Sequence, residues 1–280
     1  MSTVIQTSGS WPGFIGLKRL IIFGDSYSDV GYHAGRPHPT EENPLGVEFP
    51  GTTWAEEGEP NWVGHLITNY PPAPLLVYDL AHGGDTIAGV RAQVERGFLR
   101  QLVDKPYWCQ WNANDTLFVT WVGINDCAFA TETTIPNFID KLFDLQEQLY
   151  EAGARSFLLI DVPPVHRSPA GRKASSTVPG KGPSVRLELW NKLLLESAQH
   201  FASKHDQATV LYFSSWTTFS RVMDDPVSYG FTQEDTEVPA SRMWVDFLHP
   251  TSDMHDIIAR DVADFLTGIV PHKASQAPSE

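Results

Sequence analysis

Five short apolar runs, rich in β-branched residues, alternate with longer segments of helical periodicity, and this alternation constrains the fold most. The runs cover residues 19–23, 75–80, 116–122, 156–161 and 209–213, and the helical segments cover 61–70, 87–103, 137–152, 184–204, 215–223 and 251–266. Strands that alternate with helices typically form a parallel sheet with helices on both faces. The sequence therefore predicts a three-layer α/β/α fold around a parallel sheet of about five strands.

The chain reads as a single domain over residues 1–280, with a loose polar tail from about residue 271. A length of 280 residues suits one large α/β domain, and we find no internal repeat or domain boundary. Two long irregular stretches, 31–60 and 224–245, are rich in proline, glycine and polar residues, and connections of such length are usually functional. Residues 167–183 read as a solvated loop.

Charge and composition exclude several classes of partner. The formal net charge is −14 without a local basic patch, which argues against nucleic acid or an anionic membrane as a partner. No apolar run is long enough to span a bilayer, and residues 1–10 lack the apolar core of a signal peptide. We expect a cytoplasmic protein, or a secreted one whose signal is already removed. Cys109 and Cys127 either pair or stay free.

Three of the apolar runs end in polar or glycine-rich turns. Ser26 follows the first run, Gly83 the second and Asn125 the third. The carboxyl ends of parallel strands meet at one edge of a sheet, so these residues are expected to lie close together. Ser26 is expected at or near the start of a helix, where free N–H groups favour negative charge. Taken singly, each residue has a purely structural alternative. Ser26 could be a helix N-cap, Gly83 could belong to a plain turn, and the Asn125 side chain could hydrogen-bond the backbone of its own loop.

Together with Asp246 and His249, these residues meet the needs of acyl transfer. A serine nucleophile requires a base, which His249 supplies, and the imidazole requires an orienting carboxylate, which Asp246 supplies three residues earlier. The developing oxyanion requires positioned donors. We predict Ser26, Asp246 and His249 as catalytic residues. The predicted oxyanion hole consists of the N–H groups of Ser26 and Gly83 and the side-chain amide of Asn125.

Four sequence blocks then resemble the SGNH/GDSL hydrolase superfamily over nearly the whole chain. The blocks read Gly-Asp-Ser-Tyr-Ser at 24–28, Asp-Leu-Ala-His-Gly-Gly at 79–84, Gly-Ile-Asn-Asp at 123–126 and Asp-Phe-Leu-His-Pro at 246–250. The resemblance implies a flavodoxin-like fold and ester hydrolysis by a serine nucleophile, and we expect no metal or other cofactor.

More narrowly, the chain resembles fungal acetylesterases of carbohydrate esterase family 16. The shared features are Trp-Pro-Gly-Phe at 11–14, Tyr27 where many GDSL enzymes carry leucine, and the form of the second block. This resemblance implies removal of acetyl groups from partly acetylated sugars, such as xylo-oligosaccharides. The chain departs from the pattern at Asp79, where the superfamily often has asparagine. It also departs in lacking the signal typical of these secreted enzymes.

Three alternatives compete with an acetylesterase. An α/β-hydrolase should show a Gly-x-Ser-x-Gly elbow, and the sequence has none. A GDSL lipase or lysophospholipase would act on longer acyl esters. A catalytically silent carbohydrate-binding protein could use tryptophans as a sugar platform, although each is more often a core residue; the candidates are Trp54, Trp62, Trp108, Trp111 and Trp244. A catalytic metal is disfavoured because His33, His38 and His255 read as scattered surface or loop residues.

Overall fold

A six-stranded sheet forms the centre of the computed structural model, which describes residues 1–35, 37–175 and 184–272, without the side chains of 174 and 175. The strands are β1 (Thr3–Gln6), β2 (Arg19–Gly24), β3 (Leu76–Asp79), β4 (Thr116–Trp121), β5 (Ser156–Ile160) and β6 (Thr209–Phe213). Their order is β1-β6-β5-β4-β2-β3, and all neighbours are parallel except β1 and β6. The predicted three-layer α/β fold is confirmed, and each of the five predicted strands is present.

The sixth strand, β1, is a correction to the expected number. It pairs antiparallel with β6 at one edge of the sheet, with Thr3 opposite Tyr212. The strand has the four residues Thr-Val-Ile-Gln, and none of them is fully buried. This sequence is too short and too polar at its ends to form an apolar run that would predict a strand. Its existence depends on the partner strand rather than on its own sequence pattern.

Eight α-helices lie in the described residues: α1 (Trp62–Asn69), α2 (Ile87–Ala92), α3 (Ile124–Phe129), α4 (Ile135–Glu151), α5 (Pro169–Ser175), α6 (Ser184–Lys204), α7 (Ser215–Asp224) and α8 (Ser252–Thr267). Helix α2 continues directly as a π-helix over Gln93–Leu102. Helices α1 and α7 pack on α8, whereas α4 packs on α6 and α2. These two groups supply the outer layers.

Two short helices were not predicted. Helix α3 has six residues directly after β4, and α5 occupies part of the segment 167–183 that reads as loop. Both are too short to show a helical period, which needs about 11 residues or more. The rest of that segment, 176–183, lies outside the described residues. So does the predicted tail beyond residue 272, which stays a prediction.

The strand order changes direction between β2 and β4, and this places the site. β3 lies on one side of β2, while β4, β5 and β6 follow on the other, which is the flavodoxin-like order. Ligands of such sheets bind at the carboxyl ends of the strands where the order reverses. Ser26 follows β2 and Asn125 follows β4, so both lie at this switch point.

Candidate active site

Ser26 lies in a tight turn rather than at the start of a helix. After β2, the N–H groups of Ser28 and Asp29 donate to the carbonyl of Asp25, at 3.0 and 3.1 Å, and the chain continues without a helix until α1. The predicted helix start is therefore wrong, and the N-cap alternative for Ser26 does not apply. Gly24 is required here because a Cβ would overlap the carbonyl oxygen of Trp121 on β4.

The structure brings together the three residues predicted to be catalytic. The Nε2 atom of His249 lies 3.0 Å from the Ser26 hydroxyl, and its Nδ1 lies 2.7 Å from Oδ2 of Asp246. The other Asp246 oxygen accepts the N–H groups of Leu248 and His249, at 2.7 and 2.8 Å. Although partial burial would raise the pKa of Asp246, these hydrogen bonds outweigh it and hold the pKa below its usual value. A charged carboxylate thus faces the imidazole.

Tyr27 supports the loop that carries His249. Its buried hydroxyl donates to the carbonyl of Leu248 at 2.8 Å, and its ring packs edge-on against Trp121. The Tyr27 ring also lies beside the imidazole, with centroids 6.2 Å apart. Burial raises the pKa of Tyr27, so the phenol stays neutral and keeps donating. Tyr27, which follows Ser26, therefore holds Leu248, which precedes His249.

Two of the predicted oxyanion donors already have acceptors in this structure. The N–H of Gly83 donates to Oδ2 of Asp29 at 2.8 Å, and the Asn125 amide donates to the carbonyl of Asp85 at 2.9 Å. Asn125 keeps a second amide hydrogen, whereas the Gly83 N–H has only one. Their role as donors stays a prediction.

Gln93 joins the end of β2, just before Ser26, to the turn that follows β3. Its amide oxygen accepts from the N–H of Gly24 at 2.9 Å, and its amide nitrogen donates to the Gly24 carbonyl at 2.8 Å. The same nitrogen donates to the Asp85 carboxylate at 2.7 Å, and the Asp85 carbonyl accepts from Asn125. Gln93 opens the π-helix, a geometry that often occurs at functional sites. Gln93 therefore connects the end of β2 to the turn after β3, and Asp85 in that turn bonds Asn125 after β4.

Several carboxyl groups next to these turns are buried. Burial raises the pKa of Asp25 to about 7 and that of Asp126 to about 6. Asp126 accepts the N–H of Ile87 and so begins α2. Burial also raises the pKa of Asp79, whose Oδ1 accepts the N–H of Ala81 at 2.9 Å. Asp79 thus satisfies its turn with one oxygen, as the amide oxygen of an asparagine would.

Comparison with known proteins decides the family. A family model described as GDSL-like lipase/acylhydrolase matches residues 20–262. The chain belongs to this family. The resemblance to SGNH/GDSL hydrolases is confirmed, and the protein is an ester-hydrolysing enzyme of that family.

The relatives of this acylhydrolase include enzymes with different acyl substrates. An acetylesterase of Thermothelomyces thermophilus is 29% identical and aligns with 91% of this chain and 90% of that protein. A phosphatidylcholine-sterol acyltransferase of Aeromonas hydrophila is 26% identical over 88% of this chain and 72% of that protein.

Solved structures agree on the fold. A variant of Axe2, an acetyl xylan esterase of Geobacillus stearothermophilus, superposes with a TM-score of 0.55 at 14% identity, covering 92% of this chain and all of that one. LAE5, an alpha/beta hydrolase from the metagenome of Lake Arreo, superposes with a TM-score of 0.54 at 16% identity, covering 94% and 98%. These likenesses show the fold of the acylhydrolase and nothing of its substrate.

The five candidate tryptophans differ in their burial in this acylhydrolase. Three of them are fully buried core residues: Trp62, Trp111 and Trp244. Trp108 stacks on the ring of His38. Trp54 alone of the five is exposed, at 44%, and it stacks on His249. The contact with His249 distinguishes Trp54 from the other four tryptophans. In the sequence, it differs from them only in its place in the long stretch 31–60.

The histidine and cysteine expectations have mixed outcomes. His255 is only 1% exposed within α8, so its assignment to a surface or loop is wrong; its ring lies edge-on to that of Tyr27, with centroids 6.1 Å apart. Burial lowers the pKa of His255 to about 3. Cys109 and Cys127 are both free and buried.

Across 1–35, 37–175 and 184–272, no group of three or more His, Cys, Asp or Glu side chains is placed to hold a metal ion. Within the same residues, no helix has the length and apolarity to cross a membrane.

Two clefts open on either side of Asn125. The larger, about 570 Å³, lies among α2, α3 and α4, and its lining includes Ile87, Phe129 and Phe138. The smaller, about 250 Å³, lies towards Leu248 and is lined by Val165, His166 and Arg186 among others. Both clefts adjoin the residue predicted to bind the oxyanion, so either has room for a part of an ester.

Proposed function

We propose that this chain is a serine acetylesterase that removes acetyl groups from carbohydrate or other small esters. The observation that carries the proposal is the hydrogen-bonded series Ser26–His249–Asp246 at the switch point of the sheet. The acetylesterase of Thermothelomyces thermophilus, similar over nearly the full length of both chains, supports acetate as the acyl group. An acetylated sugar is the substrate class that we propose.

The proposed reaction passes through an acyl-enzyme. The Ser26 oxygen attacks the ester carbonyl while Nε2 of His249 takes the hydroxyl proton, and Asp246 stabilises the imidazolium through Nδ1. Collapse of the tetrahedral intermediate breaks the bond to the alcohol, which leaves with the proton from Nε2. Water then attacks the acetyl-serine in the same way and releases acetate.

Charge on the tetrahedral oxygen is stabilised by the N–H groups of Ser26 and Gly83 and by the amide of Asn125 in this proposal. The second amide hydrogen of Asn125 is available while the first stays on Asp85. The Gly83 N–H exchanges its present acceptor, Asp29, for the oxyanion. Loss of one such donor costs about 10²–10³ in rate in other hydrolases.

A second candidate function is hydrolysis of longer acyl esters, as by a lipase or lysophospholipase. The larger cleft beside Asn125 has an apolar part formed by Ile87, Phe129 and Phe138, and Phe129 at its edge is 89% exposed. An acyl chain longer than acetate could lie in such a cleft.

Hydrolysis of p-nitrophenyl esters from acetate to octanoate tests the proposal. Wild type, Ser26→Ala and Ser28→Ala are compared; the Ser28 hydroxyl accepts from Trp62 rather than facing His249, so Ser28→Ala is a matched control. Ser26-dependent activity that peaks at acetate supports the acetylesterase, and a peak at longer chains supports the lipase. Near-normal activity in folded Ser26→Ala rejects the mechanism. A folded wild type without activity favours the carbohydrate-binding alternative.

A further inference from the structure

Trp54 lies beside the proposed catalytic base, His249, but has no role in the proposed chemistry. The indole stacks on the imidazole of His249, with ring centroids 4.8 Å apart and planes inclined by 30°. Its other edge packs on Gly83, where a Cβ would overlap the indole. The ring therefore spans from the base to the predicted oxyanion donor, while 44% of the residue stays exposed to solvent.

Asp29 fixes the orientation of this ring. Its Oδ2 accepts from the indole N–H of Trp54 at 3.4 Å and from the Gly83 N–H at 2.8 Å, while Oδ1 accepts from Gly31 at 2.8 Å. Asp29 is itself buried, three residues after Ser26. The carboxylate thus joins the nucleophile turn, the Gly83 turn and the tryptophan.

The segment around Trp54 is anchored on both sides. The Thr52 N–H donates to the carbonyl of Val30 at 3.0 Å, and the Asn61 amide donates to the carbonyls of Ser28 and Asp29. The Glu56 carboxylate accepts from the Ser252 N–H at the start of α8, at 2.7 Å. These bonds hold the indole in place before substrate arrives, which lowers the entropy lost on binding.

The proposed chemistry indicates which part of the substrate contacts the indole. His249 protonates the oxygen of the leaving alcohol, so the alcohol must lie next to Nε2. The indole, stacked on that imidazole with its plane inclined by 30°, is then the neighbouring surface for the alcohol. We propose that Trp54 is a specificity residue that stacks against the sugar ring of the leaving alcohol. Asp29 is its positioning residue. The inference rests on the proposed function and deepens it by naming a cyclic sugar as the leaving group.

The test compares two acetate esters that differ only in the alcohol. Acetylated xylo-oligosaccharides release a sugar, and ethyl acetate releases a small alcohol that cannot stack. The measured quantity is the ratio of kcat/KM for the sugar ester to kcat/KM for ethyl acetate. Variants are Trp54→Leu and Trp54→Ala, which lack a flat ring, and Trp54→Phe, which keeps one. The control is Tyr107→Ala, which removes a 91% exposed aromatic residue outside the site.

We expect Trp54→Leu and Trp54→Ala to lower this ratio about tenfold, which corresponds to about 1.4 kcal/mol. Trp54→Phe should keep the ratio within about threefold of wild type, and Tyr107→Ala should leave it unchanged. Thermal melting shows which variants are folded, and two ring-free variants allow for the loss of one. An unchanged ratio in either folded ring-free variant overturns the inference. An equal fall in kcat/KM for both esters is one such case, because it leaves the ratio unchanged and shows that the indole acts only on His249.

Failure of the proposed function gives a different result. If wild type hydrolyses neither ester, the acetylesterase proposal fails and the inference falls with it. If wild type hydrolyses both in a Ser26-dependent way, the proposed function stands whatever the Trp54 variants show.

Discussion

At the residue scale, the three side chains predicted to be catalytic differ in how much each is expected to contribute. Ser26→Ala or His249→Ala removes a group that takes part in bond formation, and such losses cost about 10⁶-fold in subtilisin. Asp246→Asn removes only the charge that stabilises the imidazolium, so we expect a smaller loss of about 10⁴-fold. Steady-state kinetics of the three folded variants measure this order. An Asp246→Asn enzyme weaker than His249→Ala contradicts it.

Asp25, next to the predicted nucleophile Ser26, lowers stability at neutral pH. Burial raises the pKa of its carboxyl from 3.8 to about 7, and its Oδ2 has no hydrogen-bond partner among the described residues. The folded protein therefore binds the proton more tightly than the unfolded chain. Stability from this group is fully present below about pH 4 and is lost as the pH rises through about 7. The difference corresponds to roughly 4 kcal/mol.

Asp25→Asn should therefore raise Tm by about 5 °C at pH 8, and the gain should shrink as the pH falls towards 4. The amide oxygen can keep the bond from the Tyr27 N–H that Oδ1 accepts now. Asp161→Asn is the matched control, because burial also raises the pKa of Asp161, to about 6, yet both its oxygens accept hydrogen bonds. That variant should lose stability at pH 8. An equal loss in Asp25→Asn at every pH would refute this account.

At the element scale, the π-helix after α2 holds the end of β2 through Gln93. Gln93→Ala leaves the N–H of Gly24 without this partner, at a cost of about 1–3 kcal/mol, while the Gly24 carbonyl keeps the N–H of His82 as a donor. Because Gly24 lies two residues before Ser26, we expect kcat to fall by about 10- to 100-fold with little change in KM.

Gln101→Ala provides the comparison for Gln93→Ala. Gln101 belongs to the same π-helix, but it is exposed, and among the described residues it donates to the carbonyl of Arg96 alone. Its replacement should change neither kcat nor Tm noticeably. Equal kcat values in folded Gln93→Ala and wild type would show that Gln93 is purely structural.

Elements with strong local patterns were predictable from the sequence, and those that depend on partners were not. β4 is buried along its whole length, so its apolar run is unbroken, and α6 has the predicted bounds because its 21 residues show many turns of periodicity. Helices α3 and α5 are too short to show a helical period, and β1 carries no apolar run. The candidate site followed from strand ends because parallel strands bring them together. The contacts of Asp29, Trp54 and Gln93 cross between distant segments, and no spacing predicts them.

At the scale of the whole molecule, the candidate site is separated from β1 along the sheet. Strands β6 and β5 lie between β1 and β4. Among the described strands, β1 pairs with β6 alone, while the candidate site lies at β2 and β4. Deletion of residues 1–6 removes the pairing to β6 and the bonds from Gln6 to the carbonyls of His205 and Ala208.

We expect this deletion to lower the free energy of unfolding by about 1–3 kcal/mol. The kcat for p-nitrophenyl acetate should stay within about twofold of wild type, because distant sites act independently. Denaturant unfolding and steady-state kinetics measure the two quantities. A large fall in kcat in the folded deletion variant would show that the sheet couples its edge to the site.

The central claim is that Ser26 is the nucleophile activated by His249. Fluorophosphonate probes bond covalently to activated serines and release fluoride, so peptide mapping by mass spectrometry after labelling tests the claim most directly. We predict an adduct on Ser26 in wild type and in Ser28→Ala, no adduct in Ser26→Ala, and much slower labelling in His249→Ala. An adduct on a different serine, or undiminished labelling of Ser26 in folded His249→Ala, would contradict the claim.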